Sequence, residues 1–320
     1  MSPARGEPAS AERPATFSLF LPQAGLAWPL LLERARLLEK LGYDGLWLVD
    51  HFWAGGLPDL DFLEGWTSLA ALAAATQKLR LGLMVTCNSY RSPALLAKMA
   101  ATVDQISGGR IELGLGAGWM QEEYKGYGYD FPPMGTRLAQ LEESLEIVTR
   151  MLRDHRSTFA GRHYRVEDAP NNPRPVQSPL PVTIGGAGEK KLLRLVARFA
   201  QRWNCPMNSA HEVERLHGVL SSHCRQVGRD VGEIIVSEQM ICVIGKDEET
   251  LQSKLTMAKA VLGHFADIDK VAVAGTPDRV IAGLRAKIAR GVSDFAVMFG
   301  DLAQPDSLEL FAREVIPALR

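Results

Sequence analysis

Eight times along the chain a short apolar run of strand length gives way to a segment with helical periodicity, and that alternation leaves few folds open. The runs are "FSLFL" (17–21), "GLWLV" (45–49), "LRLGLMV" (79–85), "RIELGLG" (110–116), "PVTIG" (181–185), "RWNCP" (202–206), "IIVSEQMICVIG" (234–245) and "DFAVMF" (294–299). Between them, apolar residues recur at three- and four-residue intervals: Leu31, Ala35 and Leu38; Leu95, Met99, Val103 and Ile106; Leu138, Leu141, Leu145, Val148 and Leu152. Near-continuous apolar strands separated by helices read as a parallel sheet covered on both faces. Eight such pairs without a linker predict an α/β chain closed as a (β/α)8 TIM barrel, one domain over 16–320.

The helix after strand seven is punctuated at both ends, with Thr276 as N-cap, Pro277 at the first helical position and Gly291 at the close. Three connections exceed ordinary loops: 119–135, 155–180 and a helical insertion over about 247–270. Those after strands four and seven lie on the face where barrel enzymes carry their chemistry, so they are candidate lids. "TFAGRHYRVEDAP", before strand five, reads as a hairpin decorating the opposite end.

Charge narrows the partners. Thirty-six basic residues stand against 37 acidic ones, so no broad field advertises nucleic acid or a membrane surface, and a small molecule is the expected ligand. No run approaches the roughly 20 apolar residues of a membrane span. Residues 1–15, "MSPARGEPASAERPA", are rich in Pro, Ala and charge without an apolar signal core, and read as a disordered tail. Cys87, Cys205, Cys224 and Cys242 form no CxxC pair, as expected of buried thiols in a reducing, cytoplasmic setting.

Four places at strand ends carry candidate chemistry. "GGAG", Gly185–Gly188, joins strand five to a helix; it reads either as a tight turn or as a phosphate cradle of backbone amides at a helix N-terminus. "GLGAG", Gly114–Gly118, lacks the following helix and second-strand acid of a dinucleotide fold, which leaves close approach to a planar ligand as its functional reading. Asp50 and His51 follow strand two, where a histidine is placed to serve as general acid or base. Trp203 and Asn204 end strand six and are therefore expected to face the mouth, as barrel packing and a turn cap or as ligand contacts; Tyr90 and Arg91 after strand three read either as solvated groups or as ligand contacts. The remaining histidines show no metal spacing, so no metal site is expected.

"LMVTCNSYRSPALLAKMAATVDQISGGRIELGLGAGW", "EEYKGYGYDFPP", "YRVEDAPNNPRPVQSPLPVTIGGAGEKKLLRLVARFAQRWN" and "AGTPDRVIAGL" together resemble the bacterial luciferase-like flavin superfamily. More narrowly, they resemble its coenzyme F420-dependent oxidoreductases, from about residue 16 to 318. The resemblance implies a barrel, often dimeric, with F420 or FMN across its C-terminal mouth. It implies a cis-peptide bulge behind the cofactor ring at Met84, Val85 and Thr86, contact and proton transfer by Asp50 and His51, and a phosphate held at Gly185, Gly186, Ala187 and Gly188. Relatives that oxidise alcohols or sugar phosphates carry a glutamate after the GxGxG turn. This chain has Trp119 there, and Glu123 matches a different, structural glutamate; Trp119 and Asn204 are then candidates for an apolar substrate pocket. The activity implied is hydride transfer between F420 and a small organic substrate. The alternatives are an FMN-dependent monooxygenase fed by a partner reductase, and a cofactor-binding barrel without activity.

Overall fold

Strands that alternate inward and outward must fill two spaces at once, and the chain does so with two separate apolar layers. The structure, a computed structural model, describes residues 14–320. Its barrel strands are β1 (Thr16–Phe20), β2 (Gly45–Leu48), β3 (Arg80–Leu83), β4 (Ile111–Gly116), β5 (Val182–Gly185), β6 (Arg202–Cys205), β7 (Ile235–Ile244) and β8 (Asp294–Phe299). Each pairs in parallel with the next, and β8 returns to β1 through Phe17 against Phe295, closing the barrel. This is the (β/α)8 architecture the alternation predicts. Residues 1–13 of the expected tail lie outside the described residues, and Ala15 is buried in the outer layer.

The outer layer joins strands to helices α1 (Trp28–Leu41), α2 (Gly65–Ala75), α3 (Pro93–Ser107), α4 (Met134–Arg153), α5 (Leu192–Phe199), α6 (Val213–Gln226), α7 (Pro277–Ile288) and α8 (Pro305–Leu310). Phe17, Leu46, Ile184, Trp203 and Val297 point into it. Local signals start the helices where expected. Ser92 accepts the Leu95 N–H at 3.3 Å ahead of Pro93, and Pro277 opens α7 after Thr276. Among the described residues no helix is long and apolar enough to cross a membrane.

The inner layer is split. Toward the C-terminal ends of the strands it is apolar, with Phe20, Val49, Met84, Ile241 and Met298. At the N-terminal end it is ionic. Glu112 accepts from Arg202 at 2.9 and 3.0 Å and from Arg80 at 2.6 Å, and Arg202 also meets Asp294 at 2.5 Å. A cavity of about 330 Å³ opens beside these groups. Two arginines hold Glu112 below the usual carboxylate range despite its burial.

The long connections complete the picture. After β7, Asp247 caps helix Glu248–Leu262, whose Leu251, Ala258 and Leu262 extend the inner apolar layer. A further parallel strand, Ala272–Gly275, pairs with the end of β7; the apolar runs did not predict it. The segment before β5 does form an antiparallel hairpin, Arg156–Ala160 with Arg165–Pro170, but it is not confined to the opposite end. Glu143 on α4 accepts the N–H groups of Arg162, His163 and Tyr164 at 2.8–2.9 Å, and the Tyr164 hydroxyl receives Asn88, just past β3, at 3.3 Å. The hairpin tip thus climbs back toward the C-terminal end because a helix carboxylate captures it.

Arg202→Met removes the shared partner of two buried carboxylates. It should lower unfolding stability by about 3–5 kcal/mol in urea titration; a loss under about 1 kcal/mol would contradict the ionic layer's role.

Candidate active site at the barrel mouth

Asp50 is the second residue past β2 and is buried, so its charge must be met within the protein. Its carboxylate accepts the Cys87 N–H at 2.8 Å and a two-pronged donation from Arg91 at 2.6 and 2.9 Å. The loop after β2 is thereby locked to the loop after β3. Burial drives the Cys87 thiol up to about 11, so it stays protonated.

His51 follows, one quarter exposed, with Nδ1 2.7 Å from Glu123 Oε2. Glu123 is fully buried and accepts twice more, from the Phe52 N–H at 2.6 Å and the Tyr90 hydroxyl at 2.8 Å. Burial alone would raise the Glu123 pKa, but the donated bonds, those of His51 foremost, outweigh it and hold the carboxyl below its ordinary value. An ionised Glu123 can only accept, so Nδ1 carries the proton. Nε2, with no partner among the described residues, is the free nitrogen. The Trp119 ring stands edge-on to His51 at 5.4 Å and is 59% exposed. Sequence reading assigns Glu123 a structural part; the fold makes it the orienter of His51. No spacing signal in "WMQEEYKGYGYDF" separates Glu123 from Glu122. The difference arises only when helix Gln121–Gly126 turns position 123 inward with Tyr124.

Past β3 the peptide between Met84 and Val85 is cis. Met84 joins the inner apolar layer, and the Val85 side chain crosses toward β4 and β5. A Cβ on Gly114 would come within 2.0 Å of the Leu83 carbonyl oxygen, on Gly116 within 2.5 Å of Val85, and on Gly185 within 3.0 Å of Val85. Gly114 and Gly116 therefore answer to this bulge, a packing reason beside the planar-ligand reading, while Gly118, at φ +76°, leaves room for the Tyr124 hydroxyl. Thr86 is buried with an unpartnered hydroxyl, as is Thr183 on β5.

At the end of β5, Gly186 adopts φ +133°, a conformation open to glycine. Its N–H donates to the Asn204 carbonyl at 3.0 Å, and its own carbonyl accepts the Trp203 indole at 2.8 Å. Trp203 therefore does not face the mouth; it lies fully buried in the outer layer and pins the turn from behind. Asn204 does lie inward, buried, donating to Ser237 at 3.3 Å. Among the described residues the N–H groups of Ala187 and Gly188 have no acceptor, and both precede α5. Arg91 and Tyr90 are committed to Asp50 and Glu123. No group of three or more His, Cys, Asp or Glu among the described residues is arranged for a metal ion.

Because the folded Glu123 carboxyl lies below 4.5, the stabilisation it lends is complete above that pH and is lost as pH falls through the folded value. Urea stability of the native chain should fall more steeply from about pH 6 to about pH 3 than that of Glu123→Gln. Parallel curves would contradict the assigned charge.

The model of the luciferase-like monooxygenase family matches residues 15–269. Uncharacterized mycobacterial proteins are 31% identical over 185 residues, 53% of this chain and 64% of theirs, so the chain spans under two thirds of their length. An F420-dependent glucose-6-phosphate dehydrogenase of Amycolatopsis mediterranei is 26% identical over 91% of this chain and 94% of that one. An FMNH2-dependent dimethylsulfone monooxygenase of Pseudomonas putida is also 26% identical, over 92% and 89%. The structure of an F420-dependent secondary alcohol dehydrogenase superposes with TM-score 0.84 at 18% identity, covering 96% of this chain and all of that one. With the family model spanning most of its length, this chain belongs to the luciferase-like monooxygenase family.

Proposed function

We propose that the chain transfers a hydride between coenzyme F420 and a small organic substrate at the C-terminal mouth. The observation that carries this reading is the His51–Glu123 pair: a buried carboxylate fixes the imidazole tautomer and leaves one basic nitrogen free, the arrangement a proton-transfer residue needs. The residues fit the cofactor. The unpaired N–H groups of Ala187 and Gly188, ahead of α5 and beside Lys190 and Lys191, suit an anionic tail. Met84, Val85 and Thr86 form the ledge behind the ring, and Asp50 serves by holding that ledge through Cys87 and Arg91. Bound F420 would supply hydride chemistry with little reactivity toward oxygen. His51 Nε2 takes the proton from a substrate hydroxyl during oxidation and returns it to a carbonyl oxygen during reduction. With Trp119 in the glutamate's place, that duty falls to His51 alone.

A second reading, an FMN-dependent monooxygenase fed by a partner reductase, draws on the equal likeness to the dimethylsulfone enzyme. For assembly, we propose a homodimer through α2 and α3, supported by a groove of about 580 Å³ lined by Trp66, Ala70, Met99, Val103 and the exposed Ile106. Four buried, unpaired cysteines support a cytoplasmic site of action.

Parallel titrations with F420 and FMN test the reading. Micromolar F420 binding is expected, and His51→Ala should cut turnover by about 10²–10⁴-fold while leaving the cofactor Kd within about twofold. Tight FMN binding with none to F420 would move the assignment to the second reading, and full activity in His51→Ala would remove the proton-transfer role.

A further inference from the structure

We infer that the substrate is an uncharged, mainly apolar organic molecule with a single polar head, and not a sugar phosphate or other anion; its reacting end rests on the proposed function. Three observations carry this. The inner wall beneath the mouth is apolar, from Phe20, Val49 and Met84 round to Ile241 and Met298, and the partly exposed Phe62 and Met207 continue the same cluster toward the rim. Of the twelve large apolar side chains exposed among the described residues, six stand on just three rim segments: Leu57 and Leu60 after β2, Trp119 and Tyr127 after β4, Met257 and Phe265 in the insertion after β7. Exposed apolar groups gathered at one opening mark a surface that meets an apolar partner.

The third observation is where the cations go. Arg91 is spent on Asp50 and Glu64, Arg137 on the carbonyls of Gly118 and Pro132, and Lys254 on Asp301 and Asp306. Lys190 and Lys191 flank the turn that suits the cofactor's tail. The remaining cations of these rim segments, Lys125 and Lys246, are exposed to solvent, so an anion seated against the inner wall itself would face methyl and aromatic groups. The polar groups of the interior are few: Thr183, Asn204 and Ser237 are buried, which leaves the part-exposed His51 and, on the inner side of β7, Gln239 to meet a hydroxyl or carbonyl. The apolar remainder of the substrate then runs outward between Met207 and Phe62 to the rim.

The test is equilibrium binding of straight-chain methyl ketones of four to ten carbons to the full chain, with and without F420, using a hexose phosphate as the anionic control. Each added methylene should tighten binding about fourfold until the pocket is filled, and the hexose phosphate should bind more weakly than the longer ketones. Met207→Lys should weaken the longest ketone by about tenfold or more and leave the F420 Kd within about twofold; Phe62→Ser provides the same reading if that variant fails to fold. A flat dependence on chain length, or tighter binding of the hexose phosphate, would overturn the inference. Failure of F420 to bind while the gradient persists removes the proposed cofactor and leaves the substrate class standing. A missing gradient with F420 bound removes the substrate class alone.

Discussion

One fully buried carboxylate organises the mouth of this barrel. Glu123 comes from the loop after β4, receives His51 and Phe52 from the loop after β2, and receives Tyr90 from the loop after β3. Burying an ion is costly, and three donors within 2.8 Å offset that cost only while all three loops hold their places. The aromatic rings of Phe52, Tyr90, Tyr124, Tyr129 and Phe131 close over the group and keep water from competing for it. Tyr90, buried and bonded to an anion, has its own pKa pushed well above that of a free phenol, so it stays a donor. The result is an imidazole whose tautomer is set by its surroundings.

Beneath this, Asp50 performs a similar task for the chain reversal after β3. Its bonds to Cys87 and Arg91 fix the segment in which Val85 turns across toward β4 and β5. Space for that side chain comes from Gly114, Gly116 and Gly185, on two different strands. A glycine pattern resembling a nucleotide loop thus arises from packing within the sheet. The glycine turn at 186–188 differs, because its neighbours leave two amides without acceptors.

Periodicity made the barrel legible, since both faces of each strand and one face of each helix are apolar. Strand positions 79–85, 181–185 and 294–299 differ from the folded ones by a residue or two at most, apart from β3, which gives up its last residues to the bulge. The site was legible only where a residue's place at a strand end determines its exposure, as for His51. Partnerships between distant loops left no local trace. Glu123 reaches His51 across 72 residues, Asp50 reaches Arg91 across 41, and Glu143 captures the hairpin tip. Trp203 was misplaced because strand alternation does not say which parity faces inward; Arg202 and Asn204 take the interior, where Glu112 and Ser237 meet them.

The pairing of His51 with Glu123 is most directly read from the nitrogen-15 resonances of the His51 ring near neutral pH. A proton held on Nδ1 toward Glu123, and lost on replacing Glu123 with Gln, is the expected result. A ring with Nδ1 bare and its proton on Nε2, or one indifferent to the replacement, would contradict the account.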